Sequence, residues 1–191
     1  GTGKAYNYSV STDSGFSIIK YVGNGTAGHT IPHNLGTAPK YMIVKSLSTN
    51  DWAVYQQGFT LNGGNPYNAY AYLNQTMEEA GGSVHWGGAI PGTTTFTVGT
   101  STRTNTNDQE YIAYVWSEIP GYSKFNTYVG NGSADGPFIY CGFKPAWIMV
   151  KTLTSNQQGG WQLRDNKRTP VGNLTNNLLY ANATSAEQTT D

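Results

Sequence analysis

Apolar and polar residues alternate with a period of two along several short runs of this chain. In Tyr111-Ile112-Ala113-Tyr114-Val115-Trp116-Ser117, Ile112, Tyr114 and Trp116 fall on one face. In Ala5-Tyr6-Asn7-Tyr8-Ser9-Val10-Ser11, Tyr6, Tyr8 and Val10 share a face while Asn7, Ser9 and Ser11 point the other way. Tyr41 to Leu47 is a β-branched and apolar run that follows Pro39, which predicts a buried strand entered from a rigid turn, and Trp147 to Leu153 repeats it. Phe96-Thr97-Val98 predicts a further strand, and only Met77-Glu78-Glu79-Ala80 reads as a turn of helix. The predicted fold class is all-β.

The runs belong to an internal repeat. The pentapeptide Tyr-Val-Gly-Asn-Gly stands at Tyr21 to Gly25 and again at Tyr128 to Gly132, and its Asn-Gly predicts a tight turn because both residues tolerate a positive φ. Around it Gly15-Phe16-Ser17 recurs as Gly121-Tyr122-Ser123, and the strand that follows Pro39 recurs after Pro145. Further on, Trp52 corresponds to Trp161, Tyr72-Leu73-Asn74-Gln75-Thr76 to Tyr180-Ala181-Asn182-Ala183-Thr184, and Glu79 to Glu187. An offset of 106 carried backwards lays Tyr111 to Ser117 over Ala5 to Ser11, with Tyr6, Tyr8 and Val10 in the places of Ile112, Tyr114 and Trp116.

These matches predict two tandem antiparallel β-sandwich units of jelly-roll or immunoglobulin-like type, 14–119 and 120–191, divided near Ile119-Pro120, with an arm over 1–13. The second unit has no counterpart of Val84 through Glu118, so its sheet is expected to be open. Three accounts of the opening compete: the chain is a piece of a longer repeat array, the arm folds back within its own chain, or the arm completes the second unit of a neighbouring subunit through Ala5, Tyr6, Tyr8 and Val10. The third is favoured, because only a few residues separate the arm from the first unit. It makes the chain its own partner in a head-to-tail homopolymer.

The blocks GFSIIKYVGNGTAGHTIPHNLGTAPKYMIVK, DWAVY, YIAYVWSEIPGYSKF and NGSADGPFIYCGFKPAWIMVK resemble an uncharacterised duplicated repeat domain of tail-fibre and other structural proteins of tailed phages, marine ones in particular. The resemblance covers about residues 14 to 188. It implies a β-rich, extracellular or virion-associated structural module, with no catalytic residue to carry over.

Charge narrows the choice of partners. Net charge is zero and 12% of residues are charged, so nothing marks a nucleic-acid surface, and no run of eighteen apolar residues predicts a membrane span. Cys141 is the single cysteine, so no internal disulfide holds the fold. His29 and His33 are four residues apart, but Gly28 and Pro32 argue against a helical metal site and both read as loop residues. The acids form only local groups, Asp108 with Glu110 and Glu78 with Glu79, and Asn105 to Asp108 lacks the spaced acids of a calcium loop. We therefore expect no enzyme, metal or cofactor.

Aromatic residues offer the alternative reading, a carbohydrate-binding adhesin whose Tyr67, Tyr70, Tyr72 and Trp86 stack on surface glycans. Trp52 and Trp161, equivalent in the two copies, read instead as core residues of each unit. Asn-x-Ser/Thr sequons at Asn7, Asn24, Asn74, Asn131, Asn173 and Asn182 include two equivalent pairs, Asn24 with Asn131 and Asn74 with Asn182, as candidate N-glycosylation sites. Shared ancestry explains the pairing without any sugar.

Overall fold

The computed structural model describes residues 6–48, 50–60, 64–153, 159–168 and 177–189. It is all-β. The strands are β1 (Tyr6–Ser11), β2 (Phe16–Val22), β3 (His29–Pro32), β4 (Tyr41–Ser46), β5 (Trp52–Gln56), β6 (Ala69–Tyr72), β7 (Ala80–Gly81), β8 (Thr95–Val98), β9 (Glu110–Trp116), β10 (Trp147–Val150), β11 (Gln162–Asp165), β12 (Asn177–Tyr180) and β13 (Gln188–Thr189). A short 3₁₀ turn over Pro66–Asn68 precedes β6. The helical turn expected at Met77–Ala80 is absent, because Ala80 begins β7 and pairs with Tyr70.

Seven strands form one antiparallel sheet in the order β1-β2-β9-β4-β5-β6-β7. Its inner face carries Ile19 and Tyr21 of β2, Met42 and Val44 of β4, Tyr55 of β5, and Tyr111, Ala113 and Val115 of β9, all fully or almost fully buried. The two-stranded pair β3·β8 covers this face with Ile31, Phe96 and Val98, and Trp86 and Leu35 complete the layer. Each such large apolar side chain contributes about 1.5–3 kcal/mol when fully buried. This is the layered packing that a half-apolar sheet requires.

The outer face is apolar too. Tyr41 and Ile43 of β4, Val54 of β5, and Ala69 and Ala71 of β6 form a second buried cluster, and the residue that seals it is Trp161 from the second copy. The Trp161 indole donates to the Tyr72 carbonyl at 2.8 Å. Trp52 lies half-buried against the same cluster. The two equivalent tryptophans thus meet in one core rather than occupying one each, because β4 and β5 are covered on both faces.

Strands β10 to β13 form a four-stranded antiparallel sheet. It repeats β4 to β7 register for register. Met42 opposes Tyr55 as Ile148 opposes Arg164, Ala53 opposes Tyr72 as Gln162 opposes Tyr180, and Ala69 opposes Gly81 as Asn177 opposes Thr189. Even a side-chain clamp is repeated: Asn74 Oδ1 accepts from the Trp52 amide at 3.0 Å, and Asn182 Oδ1 from the Trp161 amide at 2.6 Å.

The pentapeptide is where the copies part. The first one ends β2 at Val22 and carries the chain out of the sheet toward β3, with the Asn24 amide held by Asn105 Oδ1 at 2.8 Å, so it is a crossover and not the turn of a hairpin. The second lies in a stretch without strand, where Tyr128 and Val129 are exposed. Tyr21, the counterpart of Tyr128, is fully buried.

Candidate functional site

The arm pairs in cis. β1 forms an antiparallel hairpin with β2, from Tyr6 opposite Tyr21 to Ser11 opposite Phe16, and is the edge of the seven-stranded sheet. The Tyr6 hydroxyl anchors it, donating to the Thr30 carbonyl at 3.0 Å and lying 3.2 Å from His29 Nε2. Tyr8 and Val10 remain 54% and 38% exposed. Ala5 lies outside the described residues.

The register moves the expected equivalence of β1 and β9 by one residue. Tyr21 faces Tyr6 on one side and Tyr111 on the other, so Tyr6, Tyr8 and Val10 stand on the inner face with Tyr111, Ala113 and Val115. Ile112, Tyr114 and Trp116, the residues matched to them by sequence, point to the outer face. A slip of one residue exchanges the faces of a strand, and an alternating pattern alone fixes only the period.

The second sheet presents an edge as well. In the first sheet β4 lies between β5 and β9, whereas among the described residues β10 pairs only with β11. Trp147 and Ile148 on this edge strand are 56% and 38% exposed. Nearby in sequence Phe138 and Tyr140 are also exposed.

The residues expected to meet glycans are elsewhere. Trp86 is 1% exposed, its indole donating to the Ala69 carbonyl at 2.9 Å and its ring edge-on to Tyr55. Tyr72 is 5% exposed, and Tyr67 and Tyr70 are half-buried against the inner core. Their density in the sequence reflects the packing of the inner layer; Trp86 and Tyr72 offer no ring face to a ligand.

The same region holds a polar network that the sequence did not reveal, since its members come from distant segments. Asp51 accepts from Asn74 Nδ2 at 3.0 Å, Gln75 Nε2 at 2.6 Å and Arg103 Nε at 2.8 Å. Burial works to raise its carboxyl pKa, and these donors together with the Arg103 charge outweigh burial and hold it below the ordinary value. Arg103 lies over the Tyr72 ring, and the Tyr72 hydroxyl meets His85 Nε2 at 3.2 Å. Burial, with the Arg103 charge second, pushes the His85 imidazole down to about 4.

His85 therefore stabilises the fold as the neutral ring. Its contribution is complete above the unfolded value near pH 6.5 and is lost as pH falls toward 4, because the unfolded chain takes up the proton first. We expect thermal unfolding at pH 4.5 to occur well below that at pH 7, with on the order of 3 kcal/mol at stake over the whole window. In a His85→Gln chain the same comparison should give a visibly flatter profile. Equal slopes in the two proteins would remove His85 as the cause.

Of the two histidines expected in loops, His33 lies in the loop after β3 and His29 lies in β3 itself, and both are buried. His29 opens β3, with Nδ1 at 3.1 Å from Asn105 Oδ1. His33 Nδ1 accepts from the Leu35 amide at 3.2 Å, which leaves Nε2 to donate to the Gly92 carbonyl at 3.1 Å, and burial lowers its pKa. Among the described residues no three His, Cys, Asp or Glu side chains converge as metal ligands.

The paired sequon asparagines all bond backbone. Asn24 Oδ1 accepts from the Thr26 amide at 2.9 Å and Asn131 Oδ1 from the Ser133 amide at 3.0 Å, the same turn in each copy, while Asn74 and Asn182 clamp the two tryptophans as described above. These bonds to backbone amides account for asparagine at all four positions. Asn173 lies outside the described residues, and Asn7 is exposed on β1.

No helix of the described residues is long and apolar enough to cross a membrane. No curated protein matches the chain, and no solved structure does. A family model, described as a domain of unknown function (DUF7483), matches residues 4–191, and the chain belongs to that family.

Proposed function

We propose that the chain is a non-enzymatic structural subunit of an extracellular fibre, such as a phage tail fibre, whose copies join head to tail by pairing strands. One observation carries the reading: β1 (YNYSVS) and β10 (WIMV), each an unpaired edge of one of the two larger sheets among the described residues, contain no charge and no proline. Proteins that stay monomeric blunt such edges with lysine, proline, bulges or very short strands. The opposite edges follow that rule, since β7 and β13 are two residues long. Two different edges on one chain make a heterologous contact, which propagates unless rotation closes it. The resemblance to tail-fibre repeats supports the virion or cell exterior as its location.

The β1 to β10 ladder adds roughly 1 kcal/mol per hydrogen bond, together with cover for Tyr8 and Trp147, against the cost of immobilising a subunit. Of the four residues of the adhesin reading, Trp86 and Tyr72 are buried and Tyr67 and Tyr70 are half-buried, so the strand edges support assembly better than these rings support glycan binding. Light scattering behind a sizing column, with negative-stain microscopy, tests the proposal. The chain should form larger species as its concentration rises, whereas Tyr8→Lys, a change at an exposed edge position, should leave a monomer with unaltered melting temperature. A chain that stays monomeric at all concentrations, or assembles equally well with lysine at position 8, would rule the proposal out.

A further inference from the structure

We infer that β10 of one copy receives β1 of a second copy as an antiparallel neighbour in one register, with Val10 opposite Trp147, Ser9 opposite Ile148, Tyr8 opposite Met149 and Asn7 opposite Val150. This rests on the self-assembly reading above and names its seat.

The register comes from the first sheet. There β9 lies against β4 with Trp116 opposite Tyr41, Val115 opposite Met42, Tyr114 opposite Ile43 and Ala113 opposite Val44. Because β10·β11 reproduces β4·β5 pair for pair, Trp147, Ile148, Met149 and Val150 stand where Tyr41, Met42, Ile43 and Val44 stand. The place beside them corresponds to that of β9. The sequence offset of 106 matches Val10, Ser9, Tyr8 and Asn7 with Trp116, Val115, Tyr114 and Ala113, whereas pairing with β2 matches Ser11 with Trp116, so polarity has to decide between the two registers.

Polarity selects β1 as the occupant. On one face the seat in the first sheet is lined by Tyr41, Ile43, Tyr114 and Trp116, and the match sets Tyr8 and Val10 beside Met149 and Trp147, apolar against apolar on both sides. On the other face the first sheet has Ala53 and Tyr55, both buried, where β11 has Gln162 and Arg164, both half-buried. On this face, with Ile148 and Val150 of β10 between it and the polar pair, the matching strand carries Asn7 and Ser9 where β9 carries Ala113 and Val115. The substitution of polar for apolar thus occurs on both sides of the seat together, on the same face. The other register would set Val10 and Tyr8 on this half-polar face and Ser11 and Ser9 against Trp147 and Met149, so polarity favours the register proposed.

Strand exchange is unnecessary, because β1 is an edge strand that keeps β2 on its inner side. The order β2-β1-β10 across two copies repeats β2-β9-β4 within one, but with β1 one residue out of step with β9, since Phe16 opposes Ser11 in β1 and Trp116 in β9.

Disulfide trapping tests the seat. In a Cys141→Ser background, which removes the native thiol, chains with Ser9→Cys are mixed with chains of distinguishable size carrying Ile148→Cys, and a parallel mixture uses Met149→Cys. Directly opposed residues bring their Cα atoms within disulfide range, and a neighbour on the opposite face does not. We expect the mixed dimer to form about tenfold faster or more with Ile148→Cys than with Met149→Cys. Equal trapping in the two mixtures, or none while scattering still shows assembly, overturns the register and leaves self-assembly standing. Absence of any assembled species overturns both.

Discussion

Replacing Trp86 by alanine should cost the chain about 3–5 kcal/mol, the range for removing a buried large aromatic side chain from a core. The ring is 1% exposed, meets Tyr55 edge-on and hangs from the Ala69 carbonyl by its N–H. Truncation leaves a void in the inner layer and strips a buried carbonyl of its donor, two losses that the surrounding β strands cannot relax to fill. Equilibrium denaturation in urea is the direct measurement. Tyr70→Ala serves as the comparison: Tyr70 is half-buried, stacked on His85 at 3.9 Å between ring centroids, and its loss should be clearly smaller. A loss below about 1 kcal/mol for Trp86→Ala would return Trp86 to the surface and reopen the carbohydrate reading.

The repeated pentapeptide supplies the second large effect, with its own control. Gly23→Ala should destabilise by about 3 kcal/mol or more, and Gly130→Ala, the same change in the same five letters, by less than about 0.5 kcal/mol. A Cβ on Gly23 would stand 2.2 Å from the Thr106 carbonyl oxygen and 2.9 Å from the Asn105 carbonyl carbon, whereas one on Gly130 meets nothing within 4 Å. The obstacles at Gly23 are backbone and cannot turn aside. They are also held from both directions, since the Gly23 amide donates to the Gln109 carbonyl at 2.8 Å and the Asp108 amide to the Gly23 carbonyl at 3.0 Å. Similar losses at the two positions, measured by thermal melts, would mean that the second copy is packed like the first.

Much of the fold was legible in the letters because strand patterning is local. The run Tyr41 to Leu47 became β4, Tyr111 to Ser117 became β9, Phe96 to Val98 became β8, and Trp147 to Leu153 supplied β10, each within a few residues of its predicted bounds. The match of Trp52 and Asn74 with Trp161 and Asn182 survives as the same hydrogen bond in two places. What failed was long-range. An Asn-Gly pair signals a bend but not where the chain goes next, and here it leads across to β3 rather than back along β2. Alternation in β1 gave the period of the strand without its phase, which depends on the partner it meets. Aromatic density near Tyr70 could not distinguish a ring on the surface from one in the core, and the deciding neighbours, Tyr55 and His85 among them, come from other segments.

The placement of Trp161 has a meaning for how such a chain diverges after duplication. With its ring closing the outer face of the first sheet, the later copy acts as a roof, and its residues answer to a wall they did not originally build. Side chains on its far face, such as Gln162 and Arg164 in the positions of Ala53 and Tyr55, are released from filling an interior and can drift toward whatever they come to touch. Ancestral likeness should therefore fade fastest on that face and persist longest around the indole.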